Sequence, residues 1–147
     1  MKHNFYPIEA STDYLRFTFE SRSASKRIRI HVQFLLIDEN VYNLAFGDID
    51  KYGELDDLSV SDNQDMELVL ATVIQTVFSF LELNPDKKVF FQGSTPSRTR
   101  LYQIVITREK QHWDDQYVVE GIINEISEAF QPGKNYEAFL INLKHRI

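Results

Sequence analysis

The chain has 147 residues, of which 43% are hydrophobic, 26% charged and 13% aromatic, and it contains no cysteine. This composition excludes a disordered chain, a disulfide framework and a cysteine-ligated metal, and the length fits a single domain over residues 1–147. No apolar run reaches the roughly 18 residues that a membrane helix needs, and the first ten residues contain no signal-peptide core. We therefore expect a cytoplasmic protein that does not associate with membranes.

Negative charge is concentrated in one segment. The formal net charge is -6, from 16 Lys and Arg against 22 Asp and Glu. Residues 48–67 contain eight acidic residues and one lysine and so carry -7, which leaves +1 (-6 minus -7) for the rest of the chain. We interpret the acidic segment as a solvated loop and helix start. The sequence pI near 5.2 argues against an extended nucleic-acid surface but permits a local anion site.

Three strands are predicted in the first third of the chain. Residues 14–21 and 26–37 alternate apolar and polar side chains with the period of two that is typical of strands, and residues 22–25 form the hairpin connection. Residues 41–46 form the third strand. We expect an antiparallel meander with one apolar face and one polar face, and the polar face carries Arg16, Arg27, Arg29, His31 and Gln33.

The remaining elements alternate between helix and strand. A capping-box pattern at Ser61 and Gln64 precedes a helix that extends to about Leu83. A short strand over 88–92 leads into a helix that begins at Pro96 and extends to about Trp113, although its β-branched residues 104–107 also fit a strand. Strands over 116–124 and 136–144 complete the order β-β-β-α-β-α-β-β. The fold class predicted is α+β, an antiparallel sheet with two helices packed on one face.

The turn between strand 88–92 and the second helix is the strongest candidate binding site. Free backbone N–H groups at a helix start, with the helix dipole behind them, bind anions. The candidate groups are the backbone of Gly93, the hydroxyls of Ser94, Thr95 and Ser97, and the guanidinium groups of Arg98 and Arg100. Two arginines in a first turn oppose the dipole at a cost of about 0.3–1 kcal/mol each. A bound phosphate would offset that cost, while helix capping and a nearby carboxylate are the alternative explanation.

The polar face of strand 26–37 is a second candidate anion surface. If Arg27 and Arg29 lie beside Arg98 and Arg100, four guanidinium groups converge, which suits a phosphate or an RNA backbone better than a neutral ligand. The alternative is a solvated outer face of the sheet.

Other patterns are weaker. Asp48, Asp50 and Gly53 echo a calcium loop, but Tyr52 and Ser59 occupy positions where oxygen ligands are needed. The four histidines show no metal-ligand spacing, and the carboxylates do not match a ribonuclease H site, although the element order begins like that fold. We predict no metal, no cofactor and no catalytic residue. An enzyme using Ser94 or Thr95 as a nucleophile ranks last, because no base can be identified.

Two segments resemble a known family. Phe-Phe-Gln-Gly-Ser-Thr-Pro-Ser-Arg-Thr-Arg-Leu-Tyr at 90–102 and Tyr-Glu-Ala-Phe-Leu-Ile at 136–141 are similar to an uncharacterised family of small bacterial proteins. The most specific part is Gly-Ser-Thr-x-x-Arg-Thr-x-Leu-Tyr. The resemblance covers most of the chain and implies a bacterial cytoplasmic protein of this size, but it supplies no catalytic residues.

The prediction is a module that binds a phosphate, a nucleotide or a nucleic-acid backbone at the turn 93–100. The alternative is an interaction domain that forms a homodimer or binds a partner protein without a small-molecule ligand.

Overall fold

A computed structural model describes residues 5–22, 27–49, 55–56 and 65–144. Within them the chain has an α+β fold with a mostly antiparallel, mixed sheet. The strands are β1 Glu9–Ala10, β2 Arg16–Arg22, β3 Arg27–Asp38, β4 Val41–Ile49, β5 Leu55–Asp56, β6 Lys88–Phe91, β7 Tyr117–Ile123, β8 Ile126–Ala129 and β9 Ala138–Leu143. The helices are α1 Met66–Leu83, α2 Pro96–Arg108 and α3 Lys110–Trp113.

The chain divides into two compact units. The first consists of Met1–Leu35 and Leu44–Phe80, and the second of Leu36–Asn43 and Leu81–Ile147. Strands β3 and β4 and helix α1 run from one unit into the other. The expectation of a single domain stays a prediction.

In the first unit, β2 pairs antiparallel with both β1 and β3. The alternation of apolar and polar residues decides the two faces, because successive side chains of a strand point to opposite sides. Phe17, Phe19, Ile30, Val32 and Phe34 are buried on one face. Helix α1 contributes Phe80, whose ring stacks on Phe34 with centroids 4.5 Å apart.

The prediction that no apolar segment is long enough to span a membrane is wrong, because helix α1 is long and apolar enough by length and composition. It has 18 residues with a mean hydropathy of 1.6, and half of them are buried in the structure. Its Thr72 hydroxyl accepts a hydrogen bond from the Tyr6 backbone N–H at 2.9 Å and donates one to the Leu68 carbonyl at 2.7 Å. Together with the stacking of Phe80, these contacts are those of a core helix.

The second unit is built around β9. This strand lies between β6 and β7 and pairs antiparallel with both, and β8 follows β7 as the outer strand. Asn124 and Glu125 both have positive φ angles, 52° and 66°, at the two central positions of the β7–β8 turn. This is the backbone that a two-residue hairpin requires, because it matches the twist of the strands. Phe91, Phe139 and Ile141 form the buried face together with Tyr102 of α2.

The predicted fold needs three corrections. The sheet is not purely antiparallel: β4 and β6 pair in parallel, as a crossover connection through α1 allows. The short strands β1, β5 and β8 were not predicted. The second helix is interrupted at Glu109, so that the predicted helix to Trp113 is α2 followed by the short α3. The ambiguous residues 104–107 are helical. The capping-box residues Ser61 and Gln64 lie outside the described residues.

Candidate anion-binding sites

The turn between β6 and α2 is held by two threonines. Thr95 is the N-cap of α2, and its hydroxyl oxygen accepts the backbone N–H of Arg98 at 3.2 Å. The Thr99 hydroxyl oxygen accepts the Gly93 backbone N–H at 3.0 Å and donates to the Thr95 carbonyl at 3.3 Å. Two of the backbone donors predicted to face an anion, those of Gly93 and Arg98, are therefore already bonded to side chains of the turn.

Gly93 packs directly against the first turn of α2. A Cβ atom at this position would lie 2.5 Å from the backbone nitrogen of Thr99 and 2.8 Å from the Cβ of Arg98. Cβ atoms do not approach other heavy atoms so closely, and therefore the close approach that requires glycine here is to the helix of the same chain.

The backbone N–H of Ser97 is not used by helix α2. It occupies the second helical position, where the backbone N–H has no intrahelical acceptor. Among the described residues, no group accepts a hydrogen bond from the Ser97 N–H. Ser94, Thr95 and Ser97 are all exposed, and the first turn contains no acidic residue.

Arg98 and Arg100 lie on different sides of α2. Residues that are two positions apart in an α-helix are related by a rotation of about 200° around the helix axis. Arg98 is half-buried, whereas Arg100 is exposed on the outer side together with Ser97 and Ile104. Among the described residues, no carboxylate forms an ion pair with Arg100.

A second cluster of cations lies on the polar face of β2 and β3. The antiparallel register places Arg16 opposite Gln33, Thr18 opposite His31, Glu20 opposite Arg29, and Arg22 opposite Arg27. Residues opposite each other in a sheet share a face, so this register brings four arginines onto one exposed surface. We call it the arginine face, and its cations are Arg16, Arg22, Arg27 and Arg29.

Two glutamates partly neutralise the arginine face. Glu20 Oε1 accepts the Arg22 Nε–H at 2.9 Å and lies 3.8 Å from Arg27 Nη1. Glu9 Oε2 lies 3.6 Å from Arg29 Nη2, which also donates to the Thr18 hydroxyl at 3.2 Å. Four arginines against two glutamates leave +2 on the strands of the face, and Asp13, in the turn before β2, adds a carboxylate that interacts with Arg16.

Arg22 is the member of the arginine face that sequence reasoning missed. Residues 22–25 were predicted to be the hairpin connection, but β2 extends to Arg22. The strand alternation continues to Arg22. Phe17, Phe19 and Ser21 lie on one side, and Arg16, Thr18, Glu20 and Arg22 lie on the other. Only the cross-strand register shows that Arg22 faces Arg27.

Arg27 and Arg29 belong to the first unit, and the turn 93–100 belongs to the second. The convergence of Arg27 and Arg29 with Arg98 and Arg100 therefore stays a prediction.

One family description matches almost the whole chain. The model of the family described as "Family of unknown function (DUF6934)" matches residues 2–144. The chain belongs to this family. No curated protein and no solved structure matches it.

The two segments on which the predicted resemblance rests, 90–102 and 136–141, lie in the second unit. The Gln103 amide donates to the Lys134 carbonyl and accepts the Tyr136 backbone N–H at 3.2 Å. The ring of Phe91 lies 5.2 Å from that of Phe139. These contacts join α2 to the segment that precedes β9, and β6 to β9.

Tyr136 fixes the end of this packing. Its hydroxyl donates to Glu128 Oε2 at 2.8 Å and accepts the Gln131 N–H at 3.0 Å. Lys134 Nζ contacts both oxygens of Glu128, at 2.7 and 2.8 Å. The Lys134 ammonium, followed by the Tyr136 hydroxyl, lowers the pKa of Glu128, and Glu128 raises the pKa of Lys134. Burial and the Glu128 hydrogen bond raise the pKa of Tyr136.

A buried hydroxyl–carboxylate cluster anchors the start of α1 in the first unit. The hydroxyls of Tyr6 and Ser21 both donate to Asp65 Oδ2, the latter at 2.6 Å. Tyr6 also accepts the Arg22 N–H at 3.1 Å, and burial followed by the Asp65 hydrogen bond raises the pKa of its phenol. Ser21 is fully buried, so we interpret this cluster as structural.

No other chemistry is brought together in the described part of the chain. It contains no group of three or more His, Asp and Glu side chains that could hold a metal ion. The calcium-loop pattern at 48–59 lies largely outside the described residues.

Proposed function

We propose that the chain is a binding module for a phosphate-bearing ligand, a nucleotide or a nucleic-acid backbone, and that the turn from Gly93 to Arg100 is its anion site. In this proposal the Ser97 N–H and the hydroxyls of Ser94, Thr95 and Ser97 donate to phosphate oxygens. Arg98 and Arg100 supply positive charge from either side of the helix start, and Arg27 and Arg29 are a second region that attracts phosphate.

The single observation that carries this proposal is the charge of the α2 start. The turn presents an open backbone donor at Ser97 and the exposed Arg100, with no acidic residue in the first turn. Arginines there oppose the helix dipole, and acidic residues are the ones that favour this position. A bound anion reverses the sign of the interaction, because it is attracted to both the dipole and the guanidinium groups.

Calorimetric titration with inorganic pyrophosphate tests the anion site. The double variant Arg98→Gln/Arg100→Gln should lose pyrophosphate binding and keep a melting temperature close to that of the wild type. Arg108→Gln removes a cation from the other end of the same helix and is the matched control, which should bind as the wild type does. Equal binding by the double variant would overturn the proposal.

A homodimer is the second candidate function, and the outer sheet face of the second unit, opposite to the face that contains Phe91 and Phe139, favours it. The register places on this face five half-buried apolar side chains: Val41, Phe90, Val118, Ile122 and Leu140. Lys88 and Glu120 lie on the same face, one on each side of β9. A two-fold axis through the face would place each Lys88 near the partner's Glu120, so the face is complementary to a second copy of itself.

Sedimentation velocity separates this candidate from the first. A homodimer through this outer face should be split into monomers by Leu140→Lys, which puts a charge at its centre. Arg100→Gln should leave the dimer intact. A wild-type chain that is monomeric at all concentrations would contradict the homodimer, and it would leave the anion site standing.

A bacterial cytoplasmic setting, which the resemblance implies, belongs to the same proposal.

A further inference from the structure

The arginine face is long and continuous. Arg16 and Arg22 are six residues apart along β2, which corresponds to about 20 Å of extended strand. Arg27 and Arg29 of β3 lie beside the far half of this row. The side chains of Arg22, Arg27 and Arg29 are 57%, 73% and 56% exposed. A single phosphate group would therefore reach only one end of the row, and a ligand that contacts the whole row must carry several negative charges in line.

Two arginines of this face are direct cross-strand neighbours. Arg22 and Arg27 form a directly opposed cross-strand pair at the end of the β2–β3 ladder. Like charges in this position repel and destabilise the strand pairing. Glu20 is shared between them, with 2.9 Å to Arg22 and 3.8 Å to Arg27, so it does not neutralise both. The pair therefore favours an external anion.

The internal partners of the face can be exchanged for ligand oxygens. Glu9 is 81% exposed at the side chain, and its separation from Arg29 is 3.6 Å. Ion pairs between exposed side chains contribute little in water. A bidentate contact between arginine and phosphate oxygens is stronger than this single long contact, so a phosphate can take the place of Glu9 at Arg29.

The place of β2 and β3 in the sheet favours a single-stranded nucleic acid over a duplex. β1 pairs with the outer side of β2, and β4 follows β3 in the sheet. A free two-stranded ribbon can enter the major groove of a duplex. β2 and β3 are not such a ribbon, because β4 continues the sheet beside β3 and β1 pairs with Phe17 and Thr18 of β2. Thr18, His31 and Gln33 lie on the same face among the arginines and can bond to sugars and bases. A sheet face with a row of cations and hydrogen-bonding side chains can contact the phosphates and the base edges of a single strand.

We propose that the arginine face binds the phosphodiester backbone of single-stranded nucleic acid through Arg16, Arg22, Arg27 and Arg29. The inference rests on the proposed function in one respect, the phosphate chemistry of the ligand. It does not depend on the turn from Gly93 to Arg100.

Fluorescence anisotropy with labelled 12-nucleotide single strands of RNA and of DNA tests the arginine face. Four phosphate contacts predict that the logarithm of the association constant falls with the logarithm of the salt concentration with a slope of about -2.8, or 0.7 for each contact. The variant Arg16→Gln/Arg22→Gln/Arg27→Gln/Arg29→Gln should lose binding. Arg27→Gln alone, the most exposed of the four, should weaken binding and reduce the slope by about 0.7. The RNA and DNA arms show whether the sugar contributes.

A gain-of-binding variant makes the test independent of any loss of folding. Glu20→Gln keeps all four arginines and removes the carboxylate that competes with the ligand, so it should bind single strands severalfold more tightly. Arg108→Gln removes a cation that belongs to neither candidate site, so it should bind single strands as the wild type does. Pyrophosphate binding by Arg98→Gln/Arg100→Gln and single-strand binding by the fourfold variant are separate readouts, so the two proposals can fail independently. Unchanged binding by the fourfold variant, or tighter binding of a duplex or of polyphosphate than of single strands, would overturn the inference.

Discussion

The Gly93 backbone N–H donates to the hydroxyl oxygen of Thr99 at 3.0 Å, across the turn that joins β6 to α2. Thr99 is buried, and its own backbone N–H bonds to the Thr95 carbonyl at 3.1 Å. The turn is thus fixed by its own side chains, and Ser97 is exposed on its surface. A pre-formed turn loses little conformational entropy when an anion binds.

Gly93→Ala tests the close packing of this turn. The added methyl group would lie 2.5 Å from the Thr99 nitrogen, which is backbone and cannot rotate away. Forcing an extra carbon into a packed site costs about 1–3 kcal/mol, so urea denaturation should show a free energy of unfolding reduced by that amount. Ser97→Ala, at an exposed position, is the control and should unfold as the wild type does. A stability of Gly93→Ala equal to the control's would contradict the packing described here.

Gly121 and Tyr136 should show strong energetic coupling. A Cβ on Gly121 would lie 2.2 Å from the Tyr136 ring. Gly121→Ala must displace the ring from its hydrogen bonds with Glu128 and Gln131, so we expect a loss of at least about 2 kcal/mol. In a Tyr136→Ala background the same substitution should be far less destabilising, because the obstructing ring is gone. Additive effects in this double-mutant cycle would rule out the contact.

Gln103 should be needed for stability because it bonds two backbone groups at once. Gln103→Leu keeps the volume of the side chain but leaves the Tyr136 N–H and the Lys134 carbonyl without their partner. Leaving a buried polar group unsatisfied costs about 1–3 kcal/mol. Thermal or urea unfolding measures this loss, and Ile104→Gln, an exposed change on the next residue, should have little effect. A Gln103→Leu variant as stable as the wild type would show that these bonds do not contribute.

Tyr117 should make the fold sensitive to alkali. The phenol is buried and donates to Glu82 Oε1 at 2.9 Å, and burial, followed by Glu82, raises its pKa. A raised folded-state pKa means that its stabilisation is complete below the ordinary tyrosine pKa of about 10 and is lost as the pH rises through the folded-state value. Stability should therefore fall above pH of about 10, and less steeply in Tyr117→Phe. Parallel pH profiles of the two proteins would contradict this assignment.

The sequence predicted those features that depend on local patterns. Alternation in residues 26–37 located the polar side of β3, including Arg27 and Arg29, and Pro96 with Thr95 located the start of α2. For residues 104–107 the β-branched side chains left helix and strand both open. Tertiary context decides this segment, because Val105 and Ile106 are buried on the inner side of α2.

Other features depend on which strands meet, and one strand's pattern does not contain that information. The parallel pairing of β4 with β6 joins residues more than 40 positions apart. The opposition of Arg22 and Arg27 follows from the ladder register, and β8 is short, with Ile126 71% exposed, so it shows no apolar alternation. Gly93 was predicted to let the backbone approach a ligand, whereas its close neighbours are Arg98 and Thr99 of its own helix.

The most direct test of phosphate binding is a pyrophosphate titration of the ¹⁵N-labelled protein, followed through its backbone amide resonances. The account predicts a saturable shift that is largest at Ser97 and its neighbours in the turn, and that disappears in Arg98→Gln/Arg100→Gln. Amide resonances of the turn that do not move as pyrophosphate is added would contradict it.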